Sequence, residues 1–146
     1  MEKFYIVKPE TPEEFEEYFD LRWRILRAPW NQSRGSEKDK WENIAEHISI
    51  RSKENLLLGV GRLHQINSEE AQIRYMAVEE GYRGLKIGLT IYEYLENYAK
   101  ASDIKKIIVN ARASATGFYE RLGFKITGDG HTLYDEIQHK TMQKKI

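Results

Sequence analysis

Apolar residues at helical spacing mark the first helix of the chain. Residues 11–14 precede it, with Thr11 and Glu14 at the positions of a capping box and Pro12 suited to the first turn. The Ala28-Pro29 pair ends the helix, because the residue before a proline avoids helical geometry. The apolar stripe of this helix consists of Phe15, Tyr18, Phe19, Trp23 and Leu26.

A second, stronger helical pattern follows a cluster of glycines at positions 81, 84 and 88, and it ends at residues 102–103. A short third helix is predicted over residues 114–122, with Gly123 where a left-handed residue is favoured. The stripe of the second helix consists of Ile87, Ile91, Tyr94, Leu95, Tyr98 and Ala99.

Short segments rich in β-branched and aromatic residues predict strands between the helices. Turns are expected at residues 67–70 and 128–130, and the polar loop at 30–40 is expected to lead into a short helix near 37–41. The element order β-α-β-β-β-α-β-α-β-β indicates a mixed α/β sandwich. The predicted strands are residues 4–7, 46–52, 56–66, 73–78, 104–109, 124–126 and 133–142.

Composition narrows the class of protein. A chain of 146 residues with 40% hydrophobic residues fits a single domain, residues 1–146, with its own core. Lys and Arg number 23, as do Asp and Glu, so a general nucleic-acid binder is not expected. No apolar run is long enough for a membrane span, and the chain has no cysteine. We expect a cytoplasmic protein without a membrane or nucleic-acid partner.

The glycine-rich turn between a strand and the second helix is the most informative segment. Such a turn exposes backbone amides at the positive end of a helix dipole, which suits a phosphate or pyrophosphate. Arg83 and Lys86 add positive charge beside it. The glycine spacing matches neither a P-loop nor the dinucleotide fingerprint. An ordinary turn with basic surface residues is the alternative.

This turn resembles the acyl-CoA loop of the GNAT N-acyltransferase superfamily, usually R-G-x-G-I-G after a strand that ends in M-x-V. The aligned residues here are Arg83-Gly84-Leu85-Lys86-Ile87-Gly88, preceded by Met76-Ala77-Val78. Lys86 stands where the middle glycine is usual. A lysine still offers its backbone N–H, but its side chain must point away from the diphosphate or lie along it.

A second motif downstream strengthens the resemblance. Residues 107–111 and the segment Phe118-Tyr119-Glu120-Arg121-Leu122-Gly123-Phe124 resemble the strand and helix that end in F-Y-x-x-L-G-F in this superfamily. The resemblance implies a mostly antiparallel central sheet of six to seven strands, splayed between the fourth and fifth strands, with helices on both faces. The pantetheine arm of the donor lies in that gap.

The resemblance also implies a reaction, the transfer of an acetyl group from acetyl-CoA to a primary amine by direct attack in a ternary complex. The Val78 N–H is placed to stabilise the oxyanion, and Tyr119 is placed near the sulfur to protonate the thiolate. A packed helix aromatic is the alternative for Tyr119, although Phe118 and Leu122 are expected on the buried face instead. The cofactor-binding residues are Met76, Ala77, Val78, Arg83, Gly84, Leu85, Lys86, Ile87, Gly88, Asn110 and Tyr119.

The residue that accepts the proton of the substrate amine is not identified by the sequence. His64 lies in a strand where a structural histidine is slightly favoured, and His139 and Glu136 on the last strand are equally plausible bases. Glu46 and His47 are weaker candidates. The four histidines show no pairing typical of a metal site, so none is expected. Three tryptophans at 23, 30 and 41 are candidates for the acceptor pocket or, more often, for core packing.

Two other functions remain open beside the enzyme. A non-catalytic CoA-binding module of the same fold is one, and an RNA- or protein-interaction domain without a cofactor is the other. Zero net charge and the second motif argue against the interaction domain. The expected partners of the enzyme are acetyl-CoA and a small-molecule or peptide amine, and a homodimer stays open.

Overall fold

Seven strands and three helices, in the predicted order, make up residues 3–146, the part of the chain that the computed structural model describes. The helices are α1 (Pro12–Leu26), α2 (Ile87–Ala101) and α3 (Thr116–Arg121). The strands are β1 (Phe4–Val7), β2 (Glu46–Ser52), β3 (Leu57–Gln65), β4 (Glu70–Val78), β5 (Lys106–Arg112), β6 (Lys125–Leu133) and β7 (Ile137–Lys145). No helix in this range has the length and apolar character needed to cross a membrane.

The capping box fixes the start of α1 as the sequence predicts. The Glu14 amide donates to the Thr11 hydroxyl at 3.1 Å, and the Thr11 amide donates to the Glu14 carboxylate at 2.9 Å. The inner face of α1 buries Tyr18 and Leu21 against Val60 of β3 and Ala77 of β4. This small core holds α1 against one face of the sheet.

Helix α2 packs on the opposite face of the sheet, where β3 carries two glycines. A Cβ atom at Gly61 would lie 2.4 Å from the Ile91 side chain, and one at Gly59 would lie 2.7 Å from Ile87. The missing side chains therefore allow α2 to approach β3 closely. The larger hydrophobic core forms under this helix and includes Ile50, Leu58, Ile91, Leu95, Ile107 and Met142.

The sheet has the strand order β1-β2-β3-β4-β5-β7-β6, and all its pairs are antiparallel except β4 with β5. The parallel pair covers only Glu70–Ile73 with 106–109, so the rest of β4 leaves β5. A bulge adds one residue to β4 opposite β3 at this point, and Tyr75 takes a left-handed φ of 58°. The predicted splay between the fourth and fifth strands is confirmed.

Two local predictions were wrong. Residues 37–41 form turns instead of a helix, because the Asp39 carboxylate accepts the Trp41 amide at 2.9 Å and holds the chain in a tight bend. Residues 128–130 lie within β6, and the hairpin turns at 134–136 instead. Gly130 allows a close approach there, since a Cβ atom would lie 3.0 Å from that of His139.

Candidate active site

A cavity of about 150 Å³ opens where β4 leaves β5. Its walls come from the end of α1, from β4 and β5, from α3 and from the β6–β7 hairpin. Of the predicted site residues, Met76, Asn110, Tyr119 and His139 all line it. The structure therefore brings residues from four separate elements to one space.

The Val78 amide faces the open edge of β4. The next amide along, that of Glu79, donates to the Leu58 carbonyl of β3 at 2.8 Å. Because successive amides of a strand point to opposite edges, the Val78 N–H points away from β3, toward the side that β5 has left. This N–H is thus available to a ligand on the open side of β4.

A second space, a groove of about 610 Å³, lies beside the glycine-rich turn. The predicted residues Val78, Arg83, Gly84, Lys86, Ile87 and Gly88 line it. Leu85 is 42% exposed and is not among the lining residues, and the Ala77 side chain is buried against α1 on the other face. The Ala77 side chain therefore does not reach the groove, and its amide faces β3, on the edge of β4 opposite to that of Val78.

The backbone of the turn has the conformation of an anion-binding loop. Gly84 has a φ of 85° and Lys86, which caps α2, a φ of 64°. No acceptor among residues 3–146 takes a hydrogen bond from the amides of residues 84–88. These free N–H groups sit at the start of a 15-residue helix, where the helix dipole favours negative charge.

Helix α3 turns a different face to the core than the sequence predicts. Tyr119 is 9% exposed and packs in the main core, whereas Phe118 and Leu122 are half-buried and line the groove. The predicted burial of Phe118 and Leu122 is therefore wrong. Arg121 also lines the groove, a residue that sequence reasoning missed although it lies in the second motif and adds a third cation beside Arg83 and Lys86.

The Tyr119 hydroxyl reaches across the splay from α3 to β4. It donates to the Met76 sulfur at 3.4 Å, and burial raises the pKa of Tyr119 above its usual value of 10. The phenol therefore stays protonated throughout the neutral range. A weak sulfur acceptor is easily replaced, so this O–H is a proton donor available to a thiolate in the cleft.

His139 lies on the cleft with one ring nitrogen free. Its Nδ1 lies 3.1 Å from the carbonyl oxygens of His131 and Ile137, so Nδ1 carries the proton and donates it. Nε2 is left with its lone pair and makes no hydrogen bond among residues 3–146. Burial lowers the pKa of His139 below 6.5, which keeps the ring neutral at pH 7.

His64 lies outside the cleft, in a buried polar network. Its ring stacks on Trp41 at 5.1 Å, and its Nδ1 lies 2.9 Å from an Arg62 guanidinium nitrogen. Burial, helped by the charge of Arg62, lowers the pKa of His64 to about 4. This imidazole is neutral and its Nδ1 lone pair is occupied. Glu136, the other alternative, is exposed in the β6–β7 turn.

The polar network around His64 was not predicted from the sequence. Arg62 is fully buried and forms ion pairs with Asp39 at 2.6 Å and Glu42 at 2.8 Å. Burial opposes the charge of Asp39, but hydrogen bonds from Arg62 and from the Trp41 amide lower its pKa to about 2. The network fixes the polar loop after α1 onto the sheet.

The three tryptophans at 23, 30 and 41 were candidates for the acceptor pocket. None of them lines the cavity between β4 and β5.

Comparison with known proteins agrees with this geometry. The family model described as Acetyltransferase (GNAT) family matches residues 15–124. The chain is 27% identical to the uncharacterized N-acetyltransferase YjcF of Bacillus subtilis, over 97% of this chain and 99% of that protein. A GNAT-family acetyltransferase from Staphylococcus aureus has a similar structure, with a TM-score of 0.79, 17% identity, and coverage of 98% of this chain and 99% of that one.

A further structural likeness is to an aminoglycoside 6'-N-acetyltransferase complexed with coenzyme A, with a TM-score of 0.79, 16% identity, and coverage of 97% and 96% of the two chains. At such identities the solved structures establish the fold, and the family match establishes the membership. The chain belongs to the GNAT acetyltransferase family and is an acyl-CoA N-acyltransferase.

Proposed function

We propose that this chain, acting as one domain over residues 1–146, transfers an acetyl group from acetyl-CoA to a primary amine by direct attack in a ternary complex. One observation carries the proposal: an oxyanion donor, the Val78 N–H, points to the open side of β4, and a proton donor, the Tyr119 hydroxyl, reaches the same strand two residues earlier, at Met76. Thioester aminolysis needs both groups at the reacting carbonyl.

The donor is acetyl-CoA in this proposal, with its diphosphate on the free amides of residues 84–88. Arg83, Lys86 and Arg121 surround the same groove and supply positive charge. The pantetheine arm then runs along the open edge of β4 at residues 76–78, between the groove and the cavity. The coenzyme A complex of the structurally similar aminoglycoside acetyltransferase supports this choice of donor.

In the chemical step, the amine nitrogen attacks the thioester carbonyl and forms a C–N bond. The Val78 N–H stabilises the resulting oxyanion, which collapses as the C–S bond breaks. Tyr119 donates its proton to the departing thiolate, and water returns a proton to Tyr119. A positioned acid of this kind contributes roughly 10²- to 10⁴-fold to the rate.

His139 is the proposed acceptor of the substrate proton. Its Nε2 is unprotonated and free, and the ring lines the cavity, whereas the Nδ1 of His64 already lies at hydrogen-bond distance from Arg62. His139 takes the proton from the attacking amine, directly or through one water, and passes it to solvent. Sequence reasoning does not choose between His139 and His64. On these contacts we favour His139.

The experiment is a pair of measurements on the wild-type chain. The thermal midpoint is recorded with and without millimolar acetyl-CoA, and thiol release is followed with a panel of primary amines. We expect a raised midpoint, since a ligand that binds only the native state stabilises it, and amine-dependent thiol release. A raised midpoint without release with any amine would favour the non-catalytic module, and an unchanged midpoint would overturn both CoA-dependent functions.

A further inference from the structure

Two arginines at the cleft share one backbone carbonyl. Arg27, just after α1, donates from Nη1 to the Leu26 oxygen at 3.0 Å, and Arg112, at the end of β5, donates from Nη2 to the same oxygen at 3.2 Å. Both side chains line the cavity between β4 and β5. Residues 85 positions apart in sequence thus bring two guanidinium groups together at one wall of this cavity.

Neither of these arginines has a carboxylate partner. Among residues 3–146, no Asp or Glu oxygen lies within 4.0 Å of either guanidinium, and the remaining donor contact of Arg27 is the Ser36 carbonyl at 3.0 Å. By contrast, the neighbouring Arg74 is paired with Asp39 at 2.9 Å. The positive charge of the pair is therefore not neutralised by the protein.

Burial makes this arrangement unfavourable in the absence of a partner. Arg27 is only 6% exposed. Burial lowers the pKa of Arg112, and the charge of Arg27 lowers it further. Like charges held together away from water repel each other unless an anion neutralises them. Such a pair persists where it binds an anionic ligand, and two guanidinium forks suit a carboxylate or phosphate.

The rest of the cavity lining, within the described residues, adds no carboxylate, although Arg74 is paired with Asp39 and His139 is neutral. No Asp or Glu of residues 3–146 lines it, whereas Arg74, His131 and His139 do. Four guanidinium groups, those of Arg22, Arg27, Arg62 and Arg74, lie within 5.6 Å of the centre of the Tyr75 ring at the back of this wall. All but Arg27 are ion-paired with Asp39 or Glu42. A polycationic acceptor would meet repulsion here, whereas an anionic group would be attracted.

We propose that the acceptor is a compact amine that also carries an anionic group, a carboxylate or a phosphate, and that Arg27 and Arg112 bind this group while the amine faces the thioester. The proposal rests on the proposed acetyl transfer for its reaction. The arginine pair is accordingly a specificity device for the acceptor and takes no part in binding the donor.

The first test uses the wild-type enzyme with matched acceptors. Kcat/KM is measured for β-alanine against β-alaninamide, for 4-aminobutyrate against its amide, and for 2-aminoethyl phosphate against ethanolamine. We expect the anionic member to be preferred at least about tenfold in one or more pairs, the size of one charge-assisted hydrogen bond. The carboxylate and phosphate pairs show which anion is preferred. Equal or reversed values in all three pairs would overturn the inference and leave the proposed transfer intact.

The second test replaces one arginine by glutamine, which removes the positive charge but keeps side-chain N–H donors. Arg112→Gln should lower the anionic preference at least about tenfold, mainly through KM of the anionic acceptor, with the neutral amine and acetyl-CoA affected little. Arg27→Gln should act in the same direction, and Arg112→Glu should reverse the preference. Arg34→Gln is the matched control, because Arg34 is 62% exposed, pairs with Asp20 and lies outside the cleft. An unchanged preference in folded Arg112→Gln would contradict the assignment.

A binding measurement keeps the inference testable even if no amine in the panel is acetylated. The thermal midpoint of the wild-type chain with CoA is recorded with N-acetyl-β-alanine and with its amide. A larger rise with the acid, lost in Arg112→Gln, would support the anion site. Equal shifts for the two compounds would overturn it, and failure of acetyl-CoA itself to bind would instead contradict the proposed function.

Discussion

The hydroxyl of Tyr119 lies 3.4 Å from the sulfur of Met76, so that α3 touches β4 across the opening where the sheet separates. Met76 lies beyond the end of the β4–β5 pairing, which stops at Ile73 and Val109. The sulfur of a thioester placed there would replace that of Met76.

Replacing Tyr119 by phenylalanine tests the role of that hydroxyl. Tyr119→Phe should lower kcat about 10²-fold because the thiolate loses its proton donor, and it should leave the affinity for CoA nearly unchanged. The stability should change by no more than about 1 kcal/mol, since only one weak hydrogen bond is lost. Steady-state kinetics and calorimetry measure these quantities. Tyr98→Phe, on an exposed part of α2, is the control, and wild-type turnover in Tyr119→Phe would remove the role.

Activity should fall as the pH decreases because His139 must be neutral to accept a proton. Burial lowers its pKa, so the acidic limb of kcat/KM is expected below pH 6.5. His139→Gln should abolish this limb and lower the rate about 10²-fold. His64→Gln should retain the limb. The hypothesis fails if His64→Gln, and not His139→Gln, changes the pH profile.

Stability should also depend on pH, through His64. Its pKa is about 4 in the folded chain and near 6.5 when unfolded, so the unfolded state binds more protons between these values. The free energy of unfolding should therefore fall from pH 7 to pH 4.5, by on the order of 2 kcal/mol from this residue. Urea titrations at both pH values measure the difference. His64→Gln should reduce this difference, and an unchanged pH dependence of stability in that variant would contradict the assignment.

The left-handed backbone of Lys86 should carry a measurable strain. With a φ of 64° this lysine occupies a region that costs a residue with a Cβ atom about 1–2 kcal/mol and a glycine almost nothing. Lys86→Gly should therefore be more stable than Lys86→Ala by roughly 1 kcal/mol, both variants lacking the charge. Chemical denaturation provides the comparison, and an alanine variant as stable as the glycine variant would rule out strain at this position.

Local sequence signals predicted most of the elements and the groove. The capping box at Thr11 and the glycine turn at 81–88 act through nearest neighbours, and the structure has both where they are expected. The α3 face was mispredicted because helical spacing alone says which residues share a side, and the tertiary position of a six-residue helix decides which side is buried.

The arginine pair in the cavity between β4 and β5 depends on contacts that no local pattern encodes. Arg27 and Arg112 meet at the Leu26 carbonyl only because β5 ends beside the end of α1. Likewise, Asp39 bends residues 37–41 into turns by binding the Trp41 amide, and its ion pair with the distant Arg62 ties that bend to the sheet. Such long-range pairs appear in the sequence as ordinary charged positions, and so they were missed.

The most direct test follows individual backbone amides while acetyl-CoA is added to the ¹⁵N-labelled chain. We expect saturable binding, with the largest chemical-shift changes at the amides of residues 84–88 and of Val78, which are free in the unliganded protein. Glu79, whose amide is bonded to Leu58, should change less. Absence of binding, or changes confined to another face of the sheet, would contradict the account.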